Sequence, residues 1–473
     1  MQILIQHRDN LDPRSWPIVN FAHGEFLMVG GMATWFLVNG KVARWDRLGE
    51  LSDTTHLFIN ESEQPCEPLW AVREPRPTIP PFGPTPHRHP HHPGLVSRPR
   101  YSMTFADVLK SSRGPRTKTL VDLAKLLEPM DDRALTNLAA SAKKTTHQFF
   151  GRTMRLFAPL YFSNECVNSC SYCGFSRDNP ILRVTLTVEQ VEREARFLAG
   201  LGFRSLLLVS GEHPKFISNQ YLVDVVRQVS RIVPSVSLEV APLETDEYRM
   251  TIGAGAEGLV VYQETYDRAI YETLHTAGPK KDFFWRLATP ERAYAAGFRR
   301  LGLGALFGLA PWRQEAIALA SHIEFLLRRC WRSQVTVAFP RLRPAAGGFQ
   351  PHHALSDREL IQLVCAFRVT FPQVGIVLST REPIWLRDSL VHLGVTTMSA
   401  GSRTSPGGYT GQGTESLHLT VRGRMQNVSD TNGKAEPQFE IDDQRSPQAV
   451  AEALAKAGID PVWKDWDAAI LNV

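Results

Sequence analysis

"LFAPLYFSNECVNSCSYCGF", residues 156–175, runs from an apolar stretch straight into three cysteines. Its first eight residues are a short apolar run of the kind that forms a buried strand. Cys166, Cys170 and Cys173 follow at once, so the thiols fall in the first strand-to-helix loop. Three thiolates are one ligand short of the closed cage of a structural zinc. Cys330 and Cys365 lie in helical stretches and read as ordinary buried cysteines. His213 is a nearby side chain that would add a fourth ligand. A redox pair of Cys170 and Cys173 would leave Cys166 unexplained.

Working outward, a rhythm begins at this strand. Apolar runs recur at 156–163, 205–210, 236–241, 258–263, 301–308, 335–340, 375–380 and 395–400. Helical stretches with start signals lie between most of them. Thr187 and Gln190 form a capping box, with Leu186 and Val191 placed as a hydrophobic staple. Ser356, Glu359, Leu355 and Leu360 repeat the device. Thr289 reads as an N-cap before Pro290, with Gly297 just past the helix end. Alternating strands and helices over residues 156–405 predict a TIM-type (β/α)8 barrel, an α/β fold. An open doubly wound sheet is the runner-up. In either fold the chemistry belongs at the carboxyl ends of the strands.

The flanks read differently. Residues 103–155 have helical periodicity and predict an N-terminal helical extension. Residues 74–100 are a Pro/His-rich linker, and their histidines read as a solvated tract. Residues 1–73 form an atypical appendage. Within it, residues 16–38 are mostly apolar, but His23 and Glu25 are costly in lipid. Its "NFAHGEF" resembles a fragment of branched-chain amino-acid or urea ABC transporter permeases, and it reads as a remnant, with no convincing membrane anchor. Residues 406–473 predict a polar loop at 415–436 and a closing helix.

Bulk numbers exclude little. The 473 residues carry a net charge of +5, which suits anionic small molecules as well as nucleic acid and decides little; no nucleic acid partner is expected. Six cysteines make no disulfide framework and point to a reducing compartment. With no secretory signal visible, the expected location is cytoplasmic.

The spacing CxxxCxxC, with Tyr172 before the last cysteine, resembles the signature of the radical S-adenosylmethionine (SAM) superfamily. In that family the three cysteines hold a 4Fe-4S cluster whose fourth iron is left open for SAM. Soft thiolates suit such a cluster, and an open iron can pass an electron to a bound sulfonium. Longer stretches resemble 2-iminoacetate synthases, the tyrosine lyases of thiamine thiazole biosynthesis. They include "PLYFSNECVNSCSYCGFS", "LLLVSGEH", "VYQETY", "KKDFFWRL", "FPRLRP", "LSTRE" and "DPVWKDW". The resemblance covers residues 103–414 and 437–467 and leaves out the first 100 residues.

This resemblance implies cleavage of the Cα–Cβ bond of L-tyrosine to 2-iminoacetate and 4-cresol, with SAM consumed. Implied partners are thiazole synthase and a reductant such as flavodoxin or ferredoxin. A tryptophan lyase and a non-catalytic metal-binding barrel are the alternatives. A hydrogenase-maturation type would need C-terminal cysteines, and none follows Cys365.

The expected roles follow from strand-end positions. Glu212 contacts the SAM amino group. Glu239, a charge within an apolar strand, is either a contact to SAM ribose or amine or half of an internal salt bridge. Gln263 and Glu264 are placed similarly. Tyr172 and Phe175 pack on adenine or on their own loop. Arg381 is the first choice to grip the tyrosine carboxylate, with Arg341 and Arg343 behind it; the bland alternative for Arg381 is a salt bridge to Glu382 or Asp388. The glycines of residues 302–308 allow adenine or backbone to approach closely.

Overall fold

A computed structural model of the chain describes residues 117–421, 424–426 and 433–463, together with the strands Trp35–Val38 and Lys41–Arg44. The expectations for the linker, for the first 34 residues and for residues 464–473 lie outside the described residues. The chain divides into two units, Met1–Val96 and Ser97–Val473. In the first, the two strands pair antiparallel, Trp35 opposite Arg44. Among the described residues no helix is long and apolar enough to cross a membrane.

The second unit is built on eight parallel strands. They are β1 (Thr153–Ser163), β2 (Ser205–Ser210), β3 (Ser235–Glu239), β4 (Gly258–Glu264), β5 (Arg300–Ala305), β6 (Gln334–Ala338), β7 (Gly375–Leu378) and β8 (Thr397–Ser399). Each pairs with the next, and β8 returns to β1 with Thr397 opposite Arg155, which closes the barrel. All eight apolar runs are strands. A ninth strand, Asp460–Val462, lies beside the lower end of β1, below the point where β2 begins to pair. It follows the helix Pro447–Lys456, which Ser446 caps.

Period-two alternation sorts the strand side chains. Leu156, Ala158, Leu160 and Phe162 of β1 join the large core between the barrel and its helices. Tyr161, Leu207 and Val209 form a smaller cluster with Phe175 inside the barrel. Gly304 of β5 has a specific use. A Cβ there would stand 2.6 Å from the Tyr262 ring, so this glycine makes room for an inward tyrosine.

The helix starts follow their signals. Both capping boxes form, at Thr187–Gln190 and Ser356–Glu359. Thr289 differs: Ala288 is the N-cap, and the Thr289 hydroxyl donates to Trp285 O at 3.2 Å. A short helix, Phe283–Leu287, runs directly into this one, so the threonine finds a carbonyl of the preceding turn first. Among the described residues the N-terminal extension has two helices, Lys118–Leu126 and Asp132–Phe150, packed on the helix Asp357–Thr370.

The expected polar loop at 415–436 is in part a hairpin, His418–Val421 with Arg424–Gln426. It pairs with the strand Ile181–Arg183 to make a three-stranded antiparallel sheet. Backbone pairing with a partner about 235 positions earlier is a long-range effect that local polarity does not report.

Candidate active site

The cysteine loop leaves the carboxyl end of β1. Cys170 is buried, and Cys166 and Cys173 are partly exposed. All three line one cavity at the carboxyl ends of β1 to β4. Its other walls include Glu212, Glu239, Lys280 and Arg286. Burial raises the Cys170 and Cys173 thiols, and the Lys280 charge opposes that rise.

Close packing holds the loop against β2. Gly211 N donates to Ser163 O at 3.0 Å, and Val167 N donates to Glu212 O at 2.8 Å. A Cβ on Gly211 would lie 2.2 Å from Glu165 O, so this place requires glycine. Asn168 ties three pieces together. Its Nδ2 donates to Glu212 Oε2 at 2.6 Å, and its Oδ1 accepts from Lys280 N at 2.9 Å. Glu212 thus faces the thiols on a fixed support.

Glu264 ends β4 at φ +72°, a positive angle in a residue other than glycine. Lys280 Nζ lies 2.7 Å from its carboxylate and Arg286 Nη2 3.5 Å. Burial alone would raise its pKa, but the two cations outweigh burial and hold it low. Its carboxylate braces Lys280 and Arg286 in the lining of the thiol cavity. Gln263 points the other way. It donates to Phe283 O at 3.4 Å and lines neither the thiol cavity nor its neighbours. Alternation along β4 sends residue 263 outward when Tyr262 faces in.

Glu239 makes no ion pair among the described residues, which leaves the internal salt bridge unformed. Burial pushes its carboxyl up to about 7, with Arg381 pulling the other way. It stands where the thiol cavity meets two adjoining chambers.

The larger of these chambers is walled by Phe157, Tyr161, Tyr262, Arg381, Gln438 and Phe439. Its open space, mouth included, is about 810 Å³, within the range of small-molecule sites. The Arg381 guanidinium carbon lies 3.4 Å from the centre of the Phe439 ring. Neither suggested acid binds Arg381: Glu382 is held by Arg341 and Asp388 by Arg445. Arg341 is fully engaged, by Glu382, by Asp357 at 2.7 Å and by Leu355 O at 3.0 Å. These bonds fasten the loops around it together. Arg343 stands at the rim, bonded to Asp442 at 2.6 Å.

Tyr172 is buried, with its hydroxyl 2.8 Å from His275 Nε2 and its ring beneath Lys280. Phe175 packs edge-on against Tyr161. Gln438 and Phe439 come from a strap, residues 435–443, that the sequence reading missed. Gln438 N donates to Thr404 O, and Gly174 N donates to Gln438 O at 3.1 Å. Asp442 N donates to Thr380 O at 3.0 Å. Lys280 and Arg286 were also missed, although "KKDFFWRL" puts three cations beside aromatic residues.

The residues fit an iron–sulfur cluster. Three soft donors line one cavity, with no fourth cysteine and no histidine among its lining residues. An eight-stranded barrel with such a trio after its first strand defines a radical SAM enzyme. Residues 160–315 match the radical SAM superfamily, and residues 338–460 match the biotin and thiamin synthesis associated domain. The 2-iminoacetate synthase of Escherichia coli K12 is 40% identical, over 77% of this chain and 91% of that protein. That of Salmonella typhimurium is 41% identical, over 73% and 87%. A crystal structure of HydG, a maturase of the [FeFe]-hydrogenase, superposes with TM-score 0.66 at 29% identity, over 77% of this chain and 80% of that one. The chain belongs to the 2-iminoacetate synthase family.

Proposed function

We infer that this protein is a radical SAM carbon–carbon lyase that splits L-tyrosine into 2-iminoacetate and 4-cresol for the thiazole of thiamine. One observation carries the reading: the three-thiol cavity opens, past Glu239, onto a chamber holding an arginine without an acidic partner among the described residues. A bound cluster and SAM would supply the radical chemistry, a 5′-deoxyadenosyl radical as hydrogen acceptor for the tyrosine amino group. Cys166, Cys170 and Cys173 hold the cluster. Glu212 and Glu239 orient SAM through its amino group and ribose. Arg381, flattened on Phe439, grips the tyrosine carboxylate, with Arg343 beside it at the rim. Tyr161, Tyr262 and Phe157 enclose the aromatic ring and keep water away from the reacting carbons. Thiazole synthase receives the product, and a flavodoxin or ferredoxin supplies the electron.

The test is anaerobic reconstitution with iron and sulfide, followed by dithionite, SAM and either tyrosine or tryptophan. Tyrosine should give 4-cresol and 5′-deoxyadenosine. A fully loaded sample that forms neither, or that prefers tryptophan, would overturn the reading. Cys170→Ala should lose both the cluster absorbance and turnover.

A further inference from the structure

Arg183 is one of three arginines, with Arg368 and Arg387, among the largest fully buried side chains, with 0% of its surface exposed. Its position is unusual for a guanidinium, because it meets carbonyls instead of a carboxylate. Nη1 donates to Asn164 O at 2.6 Å and to Phe175 O at 3.0 Å. Nη2 donates to Ser176 O at 2.7 Å and to Asn179 O at 3.4 Å. Asn164 precedes the first cysteine, and Phe175 and Ser176 follow the last. One planar fork therefore fastens the two ends of the cysteine loop to each other.

No carboxylate bonds to that fork, whose partners are all carbonyls. Among the described residues Arg183 forms no ion pair, and its Nε has no partner. The nearest acid in its field, Glu165, is occupied by His418 Nε2 at 2.5 Å. Burial lowers the Arg183 pKa, while Glu165, Cys166 and Cys173 act the other way, so the thiols lie within its electrostatic reach. An arginine stays charged even so. His418 sits opposite Arg183 in the three-stranded sheet and clamps its strand from outside.

We propose that Arg183 is a positioning residue for the cluster: it holds the cysteine loop ready before loading, and its positive charge raises the cluster's reduction potential. A cation beside a cluster favours the state with one more electron. This rests on the reading of Cys166, Cys170 and Cys173 as cluster ligands, but only for its second half. The first half is read on the protein without a cluster.

The experiment compares the native chain with Arg183→Lys and Arg183→Met. Amide hydrogen exchange is followed over residues 164–179 of the apoprotein, and midpoint potentials are measured on cluster-loaded samples by spectroscopically monitored reductive titration. Both variants should exchange faster in that loop, by about tenfold or more, with the barrel strands unchanged. The Met variant should show a more negative midpoint than the Lys variant, which keeps the charge. Failure of the Met variant alone to retain iron, on a barrel that still melts normally, supports the positioning role. Unchanged loop exchange overturns that role, and equal midpoints for the Met and Lys variants overturn the electrostatic one. Loss of the whole barrel fold in both variants would make Arg183 a core residue and overturn the proposal. A loaded native sample without lyase activity would instead count against the proposed function and leave these comparisons readable.

Discussion

Arg381 is defined by what it lacks. Its neighbours Glu382 and Asp388 are claimed by Arg341 and Arg445, so the fork is left to face the chamber. Arg381→Ala should raise KM for tyrosine by about 10–100-fold, the worth of a charged hydrogen-bonded contact. Iron content should not change, and steady-state assays with matched iron assays check both. Phe439 makes no bond of its own to a carboxylate; it fixes the plane of the guanidinium. Phe439→Leu should raise KM by a smaller factor, about threefold to tenfold, through loss of the ring face. A change in kcat alone would contradict that role. All three arginines follow strand ends, and the sequence put Arg381 ahead of Arg341 and Arg343 without showing their partners. Only the partners that each one finds across other loops separate them.

At the scale of elements, the strap of residues 435–443 unites the site. It bonds to the cysteine loop at Gly174, to the loop after β7 at Thr380 and to the loop after β8 at Thr404. Its far end is anchored by Asp443, which is fully buried and bonded to Arg387 and to Arg445, the latter at 2.7 Å. Asp443→Ala should cost about 3–5 kcal/mol, because the buried Arg387 charge would lose its partner. Denaturant unfolding of the apoprotein measures it. The eight strands, both capping boxes and the closing helix were legible from local periodicity and end signals. The strap was not, because "PQFEIDD" has no period and takes its form from the carbonyls of Thr404, Pro344 and Thr380 on three other loops. The hairpin at residues 418–426 escaped for the same reason.

At the scale of the whole molecule, the buried histidines set a pH limit. Burial holds His322 neutral and pushes its pKa down to about 3. Burial, and then the Lys280 charge, do the same to His275, also to about 3. In the unfolded chain both take a proton near 6.5. Their contribution is therefore complete above about pH 6.5 and is lost as the pH falls from there toward 3. Glu239 has the opposite sign. Its folded value of about 7 exceeds the unfolded 4.5, so its burial costs stability as pH rises through that window. Melting temperatures of the apoprotein should fall on the acid side, and His322→Gln should flatten that fall. Glu239→Gln should stabilise the apoprotein most above pH 7. An acid limb unchanged in the histidine variant would reject the assignment.

By itself the sequence determined the local things: eight apolar runs with helices between them, the caps that start those helices, and three thiols at the end of the first strand. These depend on neighbours within a few positions, where periodicity and spacing carry the information. Tertiary structure decided which charges are spent and which remain. It paired Arg341 with Glu382, Lys280 and Arg286 with Glu264, and Arg387 with Asp443. It left Arg381 and Glu239 facing the cavities and closed Arg183 over both ends of the cysteine loop. The reason is physical: a buried charge is costly without partners, and the partners that spend most of these charges arrive from distant loops that only the closed barrel brings together.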